Sequence, residues 1–224
     1  MQFKAGVAVS DVTLGTSGAA VIIKINGTTD QITFANVLYQ DNVANAYNPL
    51  QQIRSADGTT WDLAAIQAKL YAGSEAADTL IGTLNAETIN GLGGNDYLYG
   101  KAGNDTYLFS RGYGVDTVTE NDATTGNTDV AQFGADIATD QLWFRQVGNN
   151  LEVSLIGTDD KLTLSNWYLG SQYHVEQFKT SDGHTLLDSQ VQNLVSAMAG
   201  FAPPAAGQTT LPANYASSLA ANWQ

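Results

Sequence analysis

The sequence predicts an all-β-dominated fold in which a short parallel β-roll is flanked by two homologous β-rich modules, each ending in a short helix. Three observations support this fold: a nine-residue repeat in the middle of the chain, a similarity between the segments on either side of it, and 22 glycines against 4 prolines, which favours tight turns. We therefore divide the chain into a first module (1–70), a roll (71–118), a second module (119–199) and an uncharged tail (200–224).

Composition limits the classes of function. The chain has 22 acidic and 9 basic residues and a net charge of −13, which disfavours a nucleic-acid partner because the phosphate backbone is itself negative. The absence of cysteine excludes disulfides and thiolate metal sites. The sequence contains no run of about 18 apolar residues, so it predicts no transmembrane helix. Most of the negative charge lies between residues 71 and 140, which indicates either bound cations or a solvated acidic face.

The repeat consists of four blocks of nine residues that begin at Gly73: GSEAADTLI, GTLNAETIN, GLGGNDYLY and GKAGNDTYL. Glycine at the first position allows a tight turn. The last three residues of a block suffice for a short strand whose eighth-position side chain faces inward, and one block cannot bury that side chain alone. The blocks must therefore coil and stack, two to a coil. The inward residues are Leu80, Ile89, Leu98 and Tyr107.

The acidic residue at the sixth position of each block predicts a metal site. Two blocks per coil place like-sided turns 18 residues apart, which brings Asp78 next to Asp96 and Glu87 next to Asp105. Stacked coils approach to about 4.8 Å, and two carboxylates that close repel each other unless a cation lies between them. Turn carbonyls and carboxylates are hard oxygen ligands, which suit calcium better than zinc or copper.

These blocks resemble the RTX nonapeptide repeat, GGxGxDxUx, most closely in GLGGNDYLYGKAGNDTYLF, and the resemblance implies Ca²⁺ as the bound cofactor. The first two blocks depart from the pattern, since Ser74 and Ala76 replace glycines and Glu87 replaces aspartate, so we expect weak or empty sites there. A further turn, RGYGVDTV, offers an acid that pairs with Asp96. The candidate metal ligands are Asp78, Glu87, Gly91, Gly93, Asn95, Asp96, Gly100, Ala102, Asn104, Asp105 and Asp116.

The segments before and after the repeats are two copies of one module. NGTTDQITFA, from Asn26, matches IGTDDKLTLS, from Ile156, at an offset of 130, and the region from Ser55 matches the region from Thr180 at an offset of 125. Both copies resemble the haemolysin-type calcium-binding-related domain. We interpret them as caps, because an uncapped solenoid exposes apolar rungs and strand edges; ligand binding is the alternative. Apolar residues spaced i, i+3, i+4, i+7 predict a helix over 188–199 in the second copy.

The tail contains no charged residue after Asp188. The resemblance to RTX proteins implies a bacterial, secreted, extracellular protein, so we interpret residues 200–224 as a signal that the type I secretion machinery recognises. The lack of an N-terminal signal peptide agrees with that route. Such a signal need not pack, so we expect removal of residues 203–224 to leave the fold nearly intact. The alternative is docking of Tyr215, Leu219 or Trp223 on an apolar surface.

Catalytic motifs are lacking, because His174 and His184 lie outside any HExxH pattern and the chain has neither GxSxG nor a phosphate loop. We therefore expect no enzyme, and interpret the chain as the C-terminal region of a larger extracellular protein that folds on calcium binding after export. The alternatives are a carbohydrate-binding or adhesion module with a glycan or cell-surface ligand, and the non-catalytic tail of a secreted hydrolase or toxin. The patterns around the tryptophans favour core positions over a sugar-stacking platform.

Overall fold

Strands dominate the fold, as the sequence predicts. The computed structural model describes residues 1–201, 204 and 207–224, in which there are 17 strands and three α-helices. These residues form two units, 1–71 and 72–224. Within the described residues, the helices are all too short or too polar to cross a membrane.

The first unit is built on a three-stranded antiparallel sheet. Its elements are a 3-10 helix (Val9–Asp11), β1 (Val12–Ser17), β2 (Ala20–Ile25), β3 (Gln31–Phe34), a 3-10 helix (Tyr39–Asp41), β4 (Ile53–Arg54), β5 (Thr60–Trp61) and α1 (Leu63–Leu70). The sheet order is β1-β2-β3, and β4 and β5 form a separate hairpin. Alternate residues of β2, Val21 and Ile23, are buried, as the strand period requires. The Asp62 carboxylate caps α1 by accepting a hydrogen bond from the backbone N–H of Ala65 at 2.9 Å.

The repeats form a parallel roll at the start of the second unit. Its strands are β6 (Ala72–Ser74), β7 (Thr79–Ile81), β8 (Thr88–Leu92), β9 (Tyr97–Tyr99), β10 (Thr106–Phe109), β11 (Val115–Thr119) and β12 (Val130–Phe133). Each strand pairs in parallel with the strand two further along, which gives the series β6-β8-β10-β12 and β7-β9-β11. Ile89, Leu98 and Tyr107 are at most 1% exposed, so the eighth-position residues of the last three blocks fill the interior.

The following strands continue both series of the roll. They and the helices between them are a 3-10 helix (Thr139–Gln141), β13 (Leu142–Val147), β14 (Asn150–Leu155), β15 (Lys161–Leu164), 3-10 helices (Trp167–Leu169 and Ser171–Tyr173), β16 (Gln177–Lys179), β17 (Thr185–Leu187) and α2 (Asp188–Ala199). Strand β15 pairs in parallel with β11, and β16 with β12, so the sheet orders are β13-β14-β15-β11-β9-β7 and β17-β16-β12-β10-β8-β6. Helix α2 packs on β13. It has the predicted bounds and buries the predicted stripe: Val191, Leu194, Val195 and Met198.

The tail packs into the second unit, so the expectation that it needs no place in the fold is wrong, whereas the alternative, docking of Tyr215, Leu219 and Trp223, holds, since all three are buried. Its described part holds a 3-10 helix (Ala213–Tyr215) and α3 (Ala216–Asn222). Trp223 is 6% exposed, and its ring stands edge-on to that of Phe144 with centroids 6.2 Å apart. Gln224 and Thr185 exchange two backbone hydrogen bonds of 2.8 and 2.9 Å, which adds the chain end to β17. Residues 202, 203, 205 and 206 of the predicted secretion signal lie outside the described residues.

Candidate metal centre

A ladder of carboxylates links Asp78, Asp96 and Asp116, which lie where β7, β9 and β11 begin. The backbone N–H of Asp78 donates to Oδ1 of Asp96 at 2.8 Å, and the N–H of Asp96 donates to Oδ1 of Asp116 at 3.0 Å. At the end of this first ladder, the Asp160 carboxylate accepts two bonds of 2.9 Å from backbone N–H groups of the turn before β11. Each carboxylate therefore fastens the preceding coil through its backbone.

A second ladder of the same kind lies at the starts of β8, β10, β12 and β16. Backbone N–H groups donate from Glu87 to Asp105 at 2.8 Å, from Asp105 to Asp129 at 2.8 Å, and from Asp129 to Glu176 at 2.6 Å. The structure thus brings together the two predicted pairs and extends the series. Sequence analysis missed Asp129 and Glu176 because their spacings, 24 and 47 residues, depart from the 18-residue period.

Three carboxylates use only one of their two oxygens for these bonds. Asp96, Asp105 and Asp116 are 1%, 0% and 0% exposed, and the Oδ2 atom of each is buried without a hydrogen-bond partner among the described residues. A buried, ionised oxygen without a partner is strongly unfavourable unless a proton or a cation compensates it. The orphaned oxygens are therefore the structural evidence that this donor set fits a hard cation such as Ca²⁺.

The pKa values respond to this burial. Burial, with a smaller contribution from neighbouring carboxylates, raises the pKa of Asp105 and of Asp116 to about 7. Burial also raises the pKa of Asp96. Asp105 and Asp116 must therefore hold a proton or a compensating cation near neutral pH, since burial disfavours their charged forms.

The first-position glycines are required by the packing of the turns. A Cβ on Gly91 would meet Oδ2 of Asp96, and a Cβ on Gly100 would meet Oδ2 of Asp105. A Cβ on Gly82 would lie 2.5 Å from the backbone oxygen of Gly100. Backbone and carboxylate oxygens thus converge where a side chain would begin, which is how a turn presents several oxygens to one ion.

The acids of the first two blocks have their own donors. Asp78 accepts bonds from the backbone N–H and hydroxyl of Ser74, at 2.6 and 2.8 Å. Glu87 accepts bonds from the N–H and hydroxyl of Thr83, at 2.7 and 2.5 Å. Because these hydroxyl groups already donate hydrogen bonds to the two carboxylates, the carboxylates gain less from a cation. This is a physical reason to expect weak sites in these blocks.

The second position differs in the last two blocks. Leu92 and Lys101 have positive φ angles of 64° and 79°, where the repeat pattern has glycine. Neither side chain offers a hydroxyl, and the acids of these blocks keep an unpartnered oxygen. The left-handed backbone of these two residues costs about 1–2 kcal/mol each relative to glycine, so the turn conformation is held by its surroundings.

A cluster of three acids lies in the middle of the second ladder, where Glu120 approaches two of its members. Asp105, Glu120 and Asp129 each have a carboxylate oxygen within 4.8 Å of the other two, and all are at most 1% exposed. The phenol of Tyr107 donates a hydrogen bond to Oε1 of Glu120, whereas Oε2 of Glu120 has no partner. Burial raises the pKa of Glu120 to about 9. Sequence analysis did not single out Glu120, because it falls outside the nonapeptide register.

The remaining predicted ligands are turn residues. The side chains of Asn95 and Asn104 accept hydrogen bonds from the N–H groups of Val115 and Thr128, at 2.9 and 3.0 Å, so they join successive coils. A Cβ on Gly93 would meet Oε2 of Glu75. Gly93 and Ala102 can offer only backbone oxygen to an ion, and the role of these two residues and of both asparagines as ligands stays a prediction.

The four tryptophans and one of the two histidines have structural positions. Trp61, Trp143, Trp167 and Trp223 are at most 8% exposed, which favours core packing over a sugar-stacking platform. His174 stacks on Trp167 with ring centroids 4.0 Å apart.

Comparison with known families agrees with this geometry. The model described as "Haemolysin-type calcium binding protein related domain" matches residues 21–65 and 150–190. The model described as "RTX calcium-binding nonapeptide repeat (4 copies)" matches residues 72–108. The two resemblances predicted from the sequence are therefore confirmed.

Individual relatives match only in part. The iron-regulated protein FrpA of Neisseria meningitidis serogroup C is 32% identical over 93 residues, which are 40% of this chain and 8% of FrpA. The AlgE6R3 subunit of the Azotobacter vinelandii mannuronan C5-epimerase is 19% identical, with a TM-score of 0.27 and coverage of 63% of this chain and 88% of that one. Extracellular lipase LipA from Serratia marcescens is 16% identical, with a TM-score of 0.28 and coverage of 72% and 29%.

Proposed function

Since the chain carries RTX calcium-binding repeats between two copies of the haemolysin-type calcium-binding-related domain, we propose that it is a calcium-binding module whose roll folds when calcium binds after type I secretion. One observation supports this proposal above all: three buried aspartates in the turns each keep an orphaned oxygen. Calcium supplies the positive charge that these oxygens lack.

We assign the ligands by the state of their oxygens. Asp96 and Asp105, with backbone oxygens of Gly91, Gly93, Gly100 and their neighbours, are the strongest candidates, and Asp116 completes the site next to Asp96. Asp78 and Glu87 are weaker candidates because hydroxyl groups already bind their carboxylates. Two ligands are added to the set predicted from the sequence, Glu120 and Asp129.

The expected calcium affinity of these sites couples folding of the roll to export. Extracellular calcium modules commonly have Kd values of about 10⁻⁴–10⁻³ M, so such sites stay empty at cytosolic calcium and fill outside the cell. Without calcium, uncompensated carboxylates repel one another along both ladders and keep the roll loose. With calcium at tenfold excess over Kd, each site stabilises the folded roll by about 1.4 kcal/mol.

The test is thermal unfolding, followed by circular dichroism in EDTA and in millimolar calcium. We expect a higher melting temperature and more strand signal in calcium, with magnesium as the matched control because its octahedral shell fits flexible turn oxygens poorly. Equal melting temperatures in EDTA and calcium would remove the proposed function.

The proposed location is the extracellular space of a bacterium, with the module as a non-catalytic, C-terminal part of a larger protein. Two findings support it: RTX repeats are typical of secreted bacterial proteins, and the chain spans 8% of the length of FrpA. The type I secretion machinery is the proposed partner of residues 200–224. Export from a type I host with and without residues 203–224 tests this partner: if the shorter chain is exported equally well, the signal lies elsewhere.

A further inference from the structure

The two modules share backbone hydrogen bonds at equivalent positions. The N–H of Ile25 donates to the backbone oxygen of Asp30 at 3.1 Å, and at an offset of 130 the N–H of Leu155 donates to that of Asp160 at 3.0 Å. The turn after the third strand is also shared: the asparagines at 36 and 166 have φ angles of 62° and 60°. Strands β1, β2 and β3 are therefore the equivalents of β13, β14 and β15.

In the second module, the outer edge of β15 receives the last coil of the roll. Strand β11 pairs with it in parallel, and the N–H of Lys161 donates to the backbone oxygen of Gly114 at 2.8 Å. The Asp160 carboxylate accepts bonds from the N–H groups of Gly112 and Gly114. Leu162, in the middle of β15, is 0% exposed as a result.

The first module keeps the same edge without a coil on it. Among the described residues, β3 pairs with β2 alone. Ile32, the equivalent of Leu162, is 47% exposed, and Asp30, the equivalent of Asp160, is also exposed. An exposed apolar strand edge next to an unused acid is the surface that the second module covers with a roll.

A second edge of the first module repeats the arrangement. Gln2 pairs in parallel with Arg54, and the N–H of Phe3 donates to the backbone oxygen of Arg54 at 2.8 Å. In the second module, Gln132 pairs in parallel with Lys179 through β12 and β16. Gln2 and Gln132 are 130 residues apart, and Arg54 and Lys179 are 125 residues apart, the same two offsets that relate the modules. Residues 1–3 are therefore the equivalents of β12. In the second module, β12 also pairs with β10 of the roll on its other side.

We propose that these two edges of the first module form a docking surface for the last coil of a second parallel β-roll of nonapeptide repeats, joined ahead of Met1. The coil would pair its strands in parallel with β3 and with residues 1–3, cover Ile32, and place its turn N–H groups on Asp30. The roll at residues 72–133 is not the occupant, because the matching edges of its last coil already pair with β15 and β16. A second copy of this chain is excluded as occupant for the same reason.

The test fuses residues 72–130 directly before Met1, so that Met1 follows Val130 as Ala131 does in the natural chain. Thr117 and Thr163 are partners across β11 and β15, and Thr33 is the equivalent of Thr163. Partners in a parallel pair are close enough for a disulfide. We therefore introduce Thr117→Cys in the fused roll together with Thr33→Cys, in a chain that has no other cysteine.

The expected result is an intramolecular disulfide in the fused protein, measured by mass spectrometry with calcium and with EDTA. Thr13→Cys is the matched control, because β1 lies two strands, about 10 Å, from the docking edge and a disulfide from it is out of reach. Ile32→Lys should abolish the Thr33 disulfide while leaving the melting temperature of the unfused chain unchanged, since this side chain is largely exposed there.

Absence of the disulfide in both conditions would overturn the proposal, and so would disulfides formed only between two chains. The inference rests on the proposed function in one respect, namely that calcium stabilises the fused roll. The two ideas fail separately, because calcium-dependent melting of the unfused chain reports on calcium binding alone, whereas the Thr33 disulfide reports on docking.

Discussion

Replacing Asp105 by asparagine should stabilise the calcium-free protein and destabilise the calcium-bound one. In the structure, Oδ1 of Asp105 accepts a hydrogen bond from the N–H of Glu87 at 2.8 Å, whereas Oδ2 is buried without a partner. The asparagine keeps the acceptor, and its NH₂ group takes the place of Oδ2. That group can donate to the carboxylates of Glu120 and Asp129, which lie within 4.8 Å.

The magnitude follows from the pKa. Burial raises the pKa of Asp105 from 3.8 to about 7, and each unit corresponds to about 1.4 kcal/mol of disfavoured charge. Because the asparagine must itself bury a polar amide, we expect Asp105→Asn to recover only part of this free energy, about 1–2 kcal/mol, in EDTA at pH 8. For a unit of this size, that is roughly 2–8 °C in melting temperature. In calcium the variant lacks one charged ligand and should lose about the 1.4 kcal/mol that a site contributes at tenfold excess.

The assay is thermal melting of the unsubstituted protein and of Asp105→Asn, each in EDTA and in calcium. The variant should have the higher melting temperature in EDTA and the lower one in calcium. Glu87→Gln is the matched control. Its carboxylate already binds both donors of Thr83, so the amide loses good bonds and should lower the melting temperature in both conditions. If Asp105→Asn lowers the melting temperature in EDTA, the orphaned charge is not what destabilises the calcium-free roll.

Three further predictions concern the ladders and the tail. The raised pKa values of Asp116 and Glu120 mean that folded chains bind more protons than unfolded ones, so in EDTA stability should be highest below about pH 4 and fall as pH rises through 7 to 9; a flat melting profile would contradict this. Asp96→Ala should weaken calcium binding in isothermal titration more than Glu87→Ala; the reverse order would refute the ranking. Deleting residues 203–224 should lower the melting temperature by several degrees, and an unchanged value would show that docking adds nothing.

The roll was predictable from the sequence because its signals are local and periodic. Glycine, acid and apolar residue recur at fixed positions, and these fix the turn, the carboxylate and the buried rung of every coil. The 18-residue spacing then predicts which acids meet, as the bond from the N–H of Asp78 to Asp96 shows. The pattern predicts where each acid lies. It does not show which acids keep an unpartnered oxygen, because that depends on whether a hydroxyl at the second position donates to the carboxylate, as Ser74 and Thr83 do.

The acids beyond the repeats were harder to find because the connections lengthen. A shorter signal persists, however: an acid is followed two residues later by a buried apolar residue in Asp129–Ala131 and Glu176–Phe178, as in Asp105–Tyr107. Side chains two residues apart lie on the same face of a strand, so the acid lies on the same side as the buried apolar residue, the acid in the turn and the apolar residue within the strand. Glu120 lacks this signal, and only the packing of Tyr107 against it reveals its place.

The tail was misjudged for a different reason. Its sequence has no periodic pattern, and the absence of charge suggested an address rather than a packed segment. The same absence also removes the desolvation penalty for burying charge, and Tyr215 and Trp223 are accordingly among the buried side chains of the tail. The apolar residues of the tail indicate that docking can occur, but pairing with the edge of β17 is a long-range contact that the local sequence does not specify.

The distribution of donors along the roll suggests an order in which it is stabilised. Ser74 and Thr83 satisfy the acids of the first two blocks without metal, so these turns are the least dependent on calcium. Asp96, Asp105 and Asp116 each keep an oxygen without a donor in the described part of the chain, and the second ladder then runs through Asp129 to Glu176, which precedes β16. An ion held by this ladder would therefore stabilise the junction between the roll and the strands that follow it. Calcium and the second module act on the same sheets, so the loss of either should loosen the other.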